Sequence, residues 1–177
     1  MSIHQTIKDP IRKKAMVLSA VAFMTICSAA TVQAQKPDFS GDWKLNEQKS
    51  SLGQFAQMAP RKLKVVGQTD TLSIQRSATS PDGSEVSYTD KLTFDGKESE
   101  STLFGSAKKK SMAKWSDDGK SLTVNSTIAF DQGGQTFEVK VTEVMTLVEG
   151  GKVLSIETTA NSPMGTNTTK LLFDKAS

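Results

Sequence analysis

Turn signals at regular spacing constrain the fold of this chain more than any other feature. From Arg61 onward, short Gly- and Asp-containing loops separate runs in which apolar and polar residues alternate. The length of a hairpin loop determines which residues of the two strands face each other. Such spacing is typical of an all-β sandwich or barrel.

Six consecutive turns place apolar residues on one common face. The turns are Pro81-Asp82-Gly83, Asp95-Gly96, Asp118-Gly119, Gly133-Gly134, Gly150-Gly151 and the loop 162–165. The facing pairs they predict include Ala78 with Val86, Arg76 with Tyr88, Leu103 with Tyr88, Trp115 with Leu122, Phe130 with Phe137, Leu147 with Leu154, and Leu154 with Phe173. A wrong register would turn a whole strand to the other face, so the agreement predicts a continuous antiparallel meander. A meander of this length must curl, and closing it into a barrel removes exposed edges.

The prediction is an all-β, up-and-down meander barrel of about ten strands. The predicted strands are about 39–47, 61–67, 71–79, 84–94, 99–104, 108–115, 120–130, 136–148, 153–161 and 166–174. Alternation also predicts which large side chains point into the barrel, namely Trp43, Trp115, Leu122, Met145, Leu154 and Phe173.

The segment between the first two strands has a different period. Leu52, Phe55 and Met58 recur at helical spacing, and Pro60 follows them. We expect one short helix within 48–59, capped by Ser50 or Ser51 and ended by the proline. Such a helix could plug one end of the barrel or form a lid over a pocket, and the sequence leaves both open.

The N-terminus has the organisation of a secretory signal peptide. Arg12, Lys13 and Lys14 precede an apolar stretch over 15–30, and Val32-Gln33-Ala34 offers small residues for cleavage. Cys27 is read as part of the apolar stretch rather than as a lipoprotein acylation site, because Ile26 before it is bulky. We therefore expect removal of residues 1–34 and an exported, periplasmic or extracellular domain over 35–177, with no transmembrane segment.

The exported piece is electrically balanced and lacks the usual catalytic side chains. Four of the 22 basic and one of the 19 acidic residues lie in 1–34, which leaves 18 of each. This balance gives no indication of a nucleic-acid partner. His4 and Cys27, the single His and Cys, also lie in the signal peptide, so common nucleophile and base pairs and zinc sites are absent from the domain. We expect no catalytic residue, no metal and no cofactor, and hence no enzyme.

The first predicted strand carries a short motif that resembles a known group of barrels. It reads Phe39-Ser40-Gly41-Asp42-Trp43-Lys44-Leu45-Asn46, with Gly-x-Trp at its centre. Together with the meander and the signal peptide, this resembles the calycins, which comprise the lipocalins, the fatty-acid-binding proteins and their relatives. Ten strands with a helical insert look more like the fatty-acid-binding branch. Where lipocalins typically place an Arg, the last strand has Lys170 and Lys175. The resemblance implies a barrel that binds a small lipophilic molecule.

Charged residues interrupt the inward faces and are the candidate ligand-binding residues. These are Arg76 and Asp90, with Tyr88 beside them, and Glu143 on a later strand. Buried charges must be paired, so one interpretation is an internal Arg76–Asp90 ion pair. The other is a polar patch that orients a ligand's head group, and the resemblance implies that an interior Arg such as Arg76 can hold a carboxylate.

Two functions therefore follow from the sequence. The first is a barrel that binds a small lipophilic, and potentially anionic, molecule. The alternative is a ligand-free structural or protein-interaction module of the cell envelope, with an unknown protein partner. The basic run Lys108-Lys109-Lys110 is interpreted as a solvated strand end.

Overall fold

A computed structural model describes Met1 and residues 36–79 and 83–176, without the side chains of Gln54, Phe55 and Gln132. The predicted signal peptide, with Cys27 and the cleavage site, lies outside the described residues except for Met1. The predicted turn Pro81-Asp82-Gly83 is described only at Gly83.

The described chain consists of ten strands and two short 3₁₀ turns. The strands are β1 Gly41–Leu45, β2 Lys62–Gly67, β3 Thr71–Thr79, β4 Glu85–Thr93, β5 Ser99–Leu103, β6 Ala107–Trp115, β7 Ser121–Gln132, β8 Gln135–Val148, β9 Val153–Ser162 and β10 Gly165–Lys175. The 3₁₀ turns are Gly53–Met58 and Glu149–Gly151. The all-β prediction is confirmed, and strand bounds agree within about two residues of the expected ones.

All ten strands belong to one antiparallel sheet that curls into a nearly closed barrel. Its order is β4-β3-β2-β1-β10-β9-β8-β7-β6-β5, so strands that follow one another in sequence pair except for β4 and β5, and β1 pairs with β10. The connections β1–β2, β3–β4, β5–β6, β7–β8 and β9–β10 lie at one end, called the upper end here. The remaining connections and residues 36–40 lie at the lower end.

Five of the six turn registers are confirmed. The structure pairs Ala78 with Val86, Arg76 with Tyr88, Trp115 with Leu122, Phe130 with Phe137, Leu147 with Leu154, and Leu154 with Phe173. Because each strand then presents its apolar set inward, hairpin geometry and burial specify the same alignment.

The register across Asp95-Gly96 is wrong, because β4 and β5 form no backbone ladder in the described chain. Leu103 pairs with Ala107 of β6 and not with Tyr88. Side chains join the two strands instead, since Ser101 Oγ donates a hydrogen bond of 3.0 Å to Asp90 Oδ1. The meander is therefore interrupted at this seam.

The predicted helix is shorter than expected and is a 3₁₀ turn. It begins after Leu52, which makes no side-chain cap, and ends at Ala59 in the extended conformation that a following proline favours. The expected serine caps have other partners. Ser50 Oγ donates to Asn46 O and accepts from Leu172 N, and Ser51 pairs with Lys170 of β10.

The core fills the lower half of the barrel. Trp43, Leu122, Met145, Leu154 and Phe173 are buried as predicted, and Trp115 is partly exposed and packed against them. The Trp43 indole donates a hydrogen bond of 3.0 Å to the Phe39 carbonyl. Lys175 Nζ lies 5.4 Å from the centre of the Trp43 ring, within the range of a cation–π contact.

Candidate functional site

Four charged side chains from four strands meet at mid-height inside the barrel. Arg76 comes from β3, Asp90 from β4, Lys109 from β6 and Glu143 from β8, and each is between 2% and 6% exposed. Each of the four side chains occupies an inward-facing position of its strand. Because the four strands lie on different parts of the wall, the side chains converge inside the barrel. We call these four residues the charge cluster.

Every member of the charge cluster has a partner of opposite charge. Arg76 Nη2 donates to Glu143 Oε2 over 2.9 Å, and Arg76 Nε lies 3.4 Å from Asp90 Oδ2. Lys109 Nζ donates to Asp90 Oδ2 over 2.8 Å. The cluster contains two cations and two carboxylates, so its formal charge is zero. This balance satisfies the requirement that buried charges be paired.

The pairing changes the acidity of the groups in it. Burial opposes ionisation of Asp90, but the charges of Arg76 and Lys109 outweigh it and hold the pKa of Asp90 below its ordinary value. Burial also opposes the charge of Arg76, and the neighbouring Glu143, Tyr88 and Asp90 overcome it and raise the pKa of Arg76. Both groups are therefore charged at neutral pH.

The ion pair between Arg76 and Asp90 is confirmed, but two features of the cluster were not predicted. Lys109 is buried in the cluster, and its interpretation as a solvated residue is wrong. Alternation could have found it, because Ala107, Ser111 and Ala113 on the same strand also point inward. Glu143 reaches Arg76 from the opposite part of the wall, and no local register predicts such a contact.

A cavity of about 180 Å³ lies directly above the cluster. Arg76, Tyr88 and Glu143 form part of its wall, and Leu52 and Met58 from the 3₁₀ segment border it. Arg76 and Tyr88 therefore lie on the wall of a cavity that the 3₁₀ segment borders. Asp90 lies behind Arg76 and does not line the cavity. Ligand binding by Arg76, Tyr88, Asp90 and Glu143 stays a prediction.

Two apolar clefts flank the cavity at the upper end. One, of about 480 Å³, is bordered by Phe130, Phe137 and Val139 and shares Asn167 with the cavity. The other, of about 600 Å³, lies between Ala78, Val86 and Phe104 and shares Met58 with it. The upper half thus combines apolar clefts with a few polar groups, the composition typical of small-molecule sites.

Neutral polar side chains supply the remaining polar surface of the cavity. Tyr88, Thr158, Asn167 and Thr169 line it. None of these side chains hydrogen-bonds to another residue within 36–79 or 83–176. Burial raises the pKa of Tyr88 to about 12, so its hydroxyl keeps its proton at neutral pH. The cavity therefore offers free neutral hydrogen-bonding groups beside charges that are already paired.

The described residues offer neither a metal-binding cluster nor a membrane-spanning helix. Within those residues, no group of three or more acidic, His or Cys side chains could hold a metal ion. No helix in the described part is long and apolar enough to cross a membrane.

Comparison with solved structures confirms the calycin-like fold that the Gly-x-Trp motif suggested. The barrel is similar to the crystal structure of zebrafish ileal bile acid-binding protein complexed with cholic acid. The TM-score is 0.50 with 18% sequence identity, over 78% of this chain and 98% of the zebrafish chain. No family model and no curated protein matches the sequence. At this identity the likeness concerns the fold alone.

Proposed function

We propose that this protein is an exported binding protein that holds a small lipophilic molecule in the upper half of its barrel. The observation that carries the proposal is the polar cavity beside two apolar clefts, with which it shares Asn167 and Met58. Apolar parts of a ligand fit the clefts, and its polar part fits the cavity. A small-molecule role is also supported by the similar fold of a bile acid-binding protein.

Export and a non-catalytic role belong to the same proposal. The basic and apolar N-terminal stretch followed by Val32-Gln33-Ala34 supports cleavage after Ala34 and a periplasmic or extracellular address. N-terminal sequencing of the exported protein tests this, and a mature chain beginning at an acylated Cys27 would contradict it. The lack of His and Cys after residue 34 supports binding rather than catalysis.

The alternative is an interaction module without a small ligand, and the rim of the upper end favours it as the second candidate. Met58, Phe104 and Met164 are exposed there, and exposed apolar residues around one opening can form a protein interface. A ligand-free barrel with a protein bound at this rim would replace the first proposal.

Native mass spectrometry of residues 35–177, purified from the exporting cell, tests the proposal. We expect a bound small molecule that denaturation releases. The matched variants are Thr169→Trp, which fills the cavity wall, and Thr168→Trp, whose site on the same strand is exposed. The first should lose the ligand and the second should keep it. Loss in neither variant, or an empty wild-type protein that also binds no added lipophile, would overturn the proposal.

A further inference from the structure

We propose that the ligand of this barrel presents a neutral polar group, such as a hydroxyl or an amide, to the cavity, and not a carboxylate. This inference rests on the proposed function, and it names the chemical class of ligand that the same site takes. It departs from the anionic ligand that an interior Arg suggests when the sequence is considered alone.

The formal charges at the cavity wall already balance one another. Arg76 is the cation that lines the cavity, and Glu143 on the same wall already holds its Nη2. Its Nε faces Asp90, which also binds Lys109. A ligand carboxylate would place three anions against two cations at the charge cluster. Burying an anion without a cation of its own costs several kcal/mol, which weakens its binding strongly.

The cavity wall also carries neutral polar side chains without hydrogen-bond partners among the described residues. Tyr88, Thr158, Asn167 and Thr169 offer hydroxyl and amide groups with no hydrogen bond to other described side chains. Such groups donate and accept, so a hydroxyl or an amide can satisfy them in both directions. The protonated Tyr88 hydroxyl is a donor at the wall. The cavity therefore has free neutral hydrogen-bonding groups, while the formal charge of Arg76 is balanced within the protein by Glu143 and Asp90.

The two partners of Arg76 are parts of the barrel wall. Glu143 and Asp90 belong to β8 and β4, and both are held within the folded barrel. A ligand carboxylate that took over Arg76 Nη2 would displace Glu143, which would then be buried without its cation. Removing the negative charge of Glu143 should therefore change the preferred ligand class.

The test is displacement of Nile red, a neutral dye, from residues 35–177 by dodecan-1-ol and by dodecanoic acid. At about pH 7.5 the acid is ionised, and the two probes have the same number of carbon atoms. We expect the alcohol to displace the dye at a concentration about tenfold or more below that of the acid. The alcohol gains a hydrogen bond in the cavity, whereas the acid brings in a charge that no cation compensates. Equal or tighter binding of the acid by the wild type would overturn the inference.

The variant Glu143→Gln sharpens the test. It keeps the side-chain shape and releases Arg76 for an anion, so binding of the acid should improve about tenfold and the preference should narrow or reverse. The control is Glu138→Gln, an exposed position on the same strand, which should leave the ratio unchanged. An acid affinity that stays the same in a folded Glu143→Gln variant would count against the inference.

The two proposals fail in different ways. If neither probe displaces the dye and native mass spectra show no adduct with either, the proposed function fails. If both probes bind and the acid binds as tightly as the alcohol, the barrel is a lipophile-binding protein and the neutral-ligand inference is wrong. The wild-type comparison alone separates these results if Glu143→Gln fails to fold.

Discussion

The two halves of the barrel are built from the same strands but filled differently. In the lower half, the inward positions carry large apolar side chains such as Trp43, Leu122 and Phe173, and these are buried. In the upper half, inward positions such as Thr158, Ala160 and Thr169 are small or polar and are partly exposed. The charge cluster lies between them. A barrel can thus obtain its stability from one half and leave the other available for a ligand.

The largest expected effect distinguishes the packed half from the open half. Trp43→Ala should lower the free energy of unfolding by about 4 kcal/mol, because it leaves a cavity in a fully packed region. Phe137→Ala should cost less than about 2 kcal/mol, since Phe137 is partly exposed and lines a cleft. Urea denaturation of both variants measures the difference. Equal losses would show that the two halves contribute alike.

The second prediction tests the charge cluster against its exposed neighbours. Lys109→Met should destabilise the fold by about 3 kcal/mol, because it leaves the buried Asp90 with Arg76 and Ser101 alone. The matched control is Lys108→Met, the adjacent exposed lysine, for which we expect less than about 0.5 kcal/mol. Denaturation midpoints at neutral pH compare the two.

A double variant separates loss of pairing from loss of packing. Replacing Asp90 by Leu together with Lys109→Met should recover part of the stability, because no carboxylate is then stranded against a missing lysine. If Lys109→Met and Lys108→Met behave alike, Lys109 is not a structural ion-pair partner in solution.

The third prediction concerns pH. The folded state holds the pKa of Asp90 below its ordinary value of 3.8. Its ionised form therefore stabilises the fold above about pH 3.8, and that contribution is lost as the pH falls through the lower pKa of the folded state. In Asp90→Asn, stability at neutral pH should be lower, and its difference from the wild type should shrink on acidification. A difference that is constant with pH would contradict the pairing of Asp90.

The smallest expected effect on stability belongs to the cavity wall. Tyr88→Phe removes a hydroxyl that has no partner among the described residues, so the free energy of unfolding should change by less than about 0.5 kcal/mol. Binding of dodecan-1-ol should weaken by about 1 kcal/mol, because a hydrogen bond to the ligand is lost. Thermal unfolding and dye displacement on the same preparation measure both. Unchanged binding would move the ligand's polar group away from Tyr88.

The turn chemistry and the alternation of the sequence determined much of this protein. Loop lengths at Gly133-Gly134 and Gly150-Gly151 set hairpin registers locally, and the apolar face of each strand agreed with them. Strand bounds and the buried core residues followed from that agreement, because a hairpin is specified by residues close in sequence. The contact of Arg76 with Asp90 was also within reach, since the two lie on paired strands.

The tertiary structure alone decided which strands part and which charges meet. The seam between β4 and β5 depends on how the curled sheet meets itself, and no turn encodes that distance. The contacts of Glu143 with Arg76, and of Lys109 with Asp90, join residues on strands that do not pair with each other. Long side chains reach across the barrel only after it has closed. The neutrality of the cavity wall, and with it the inferred ligand class, therefore follows from closure and not from any local pattern.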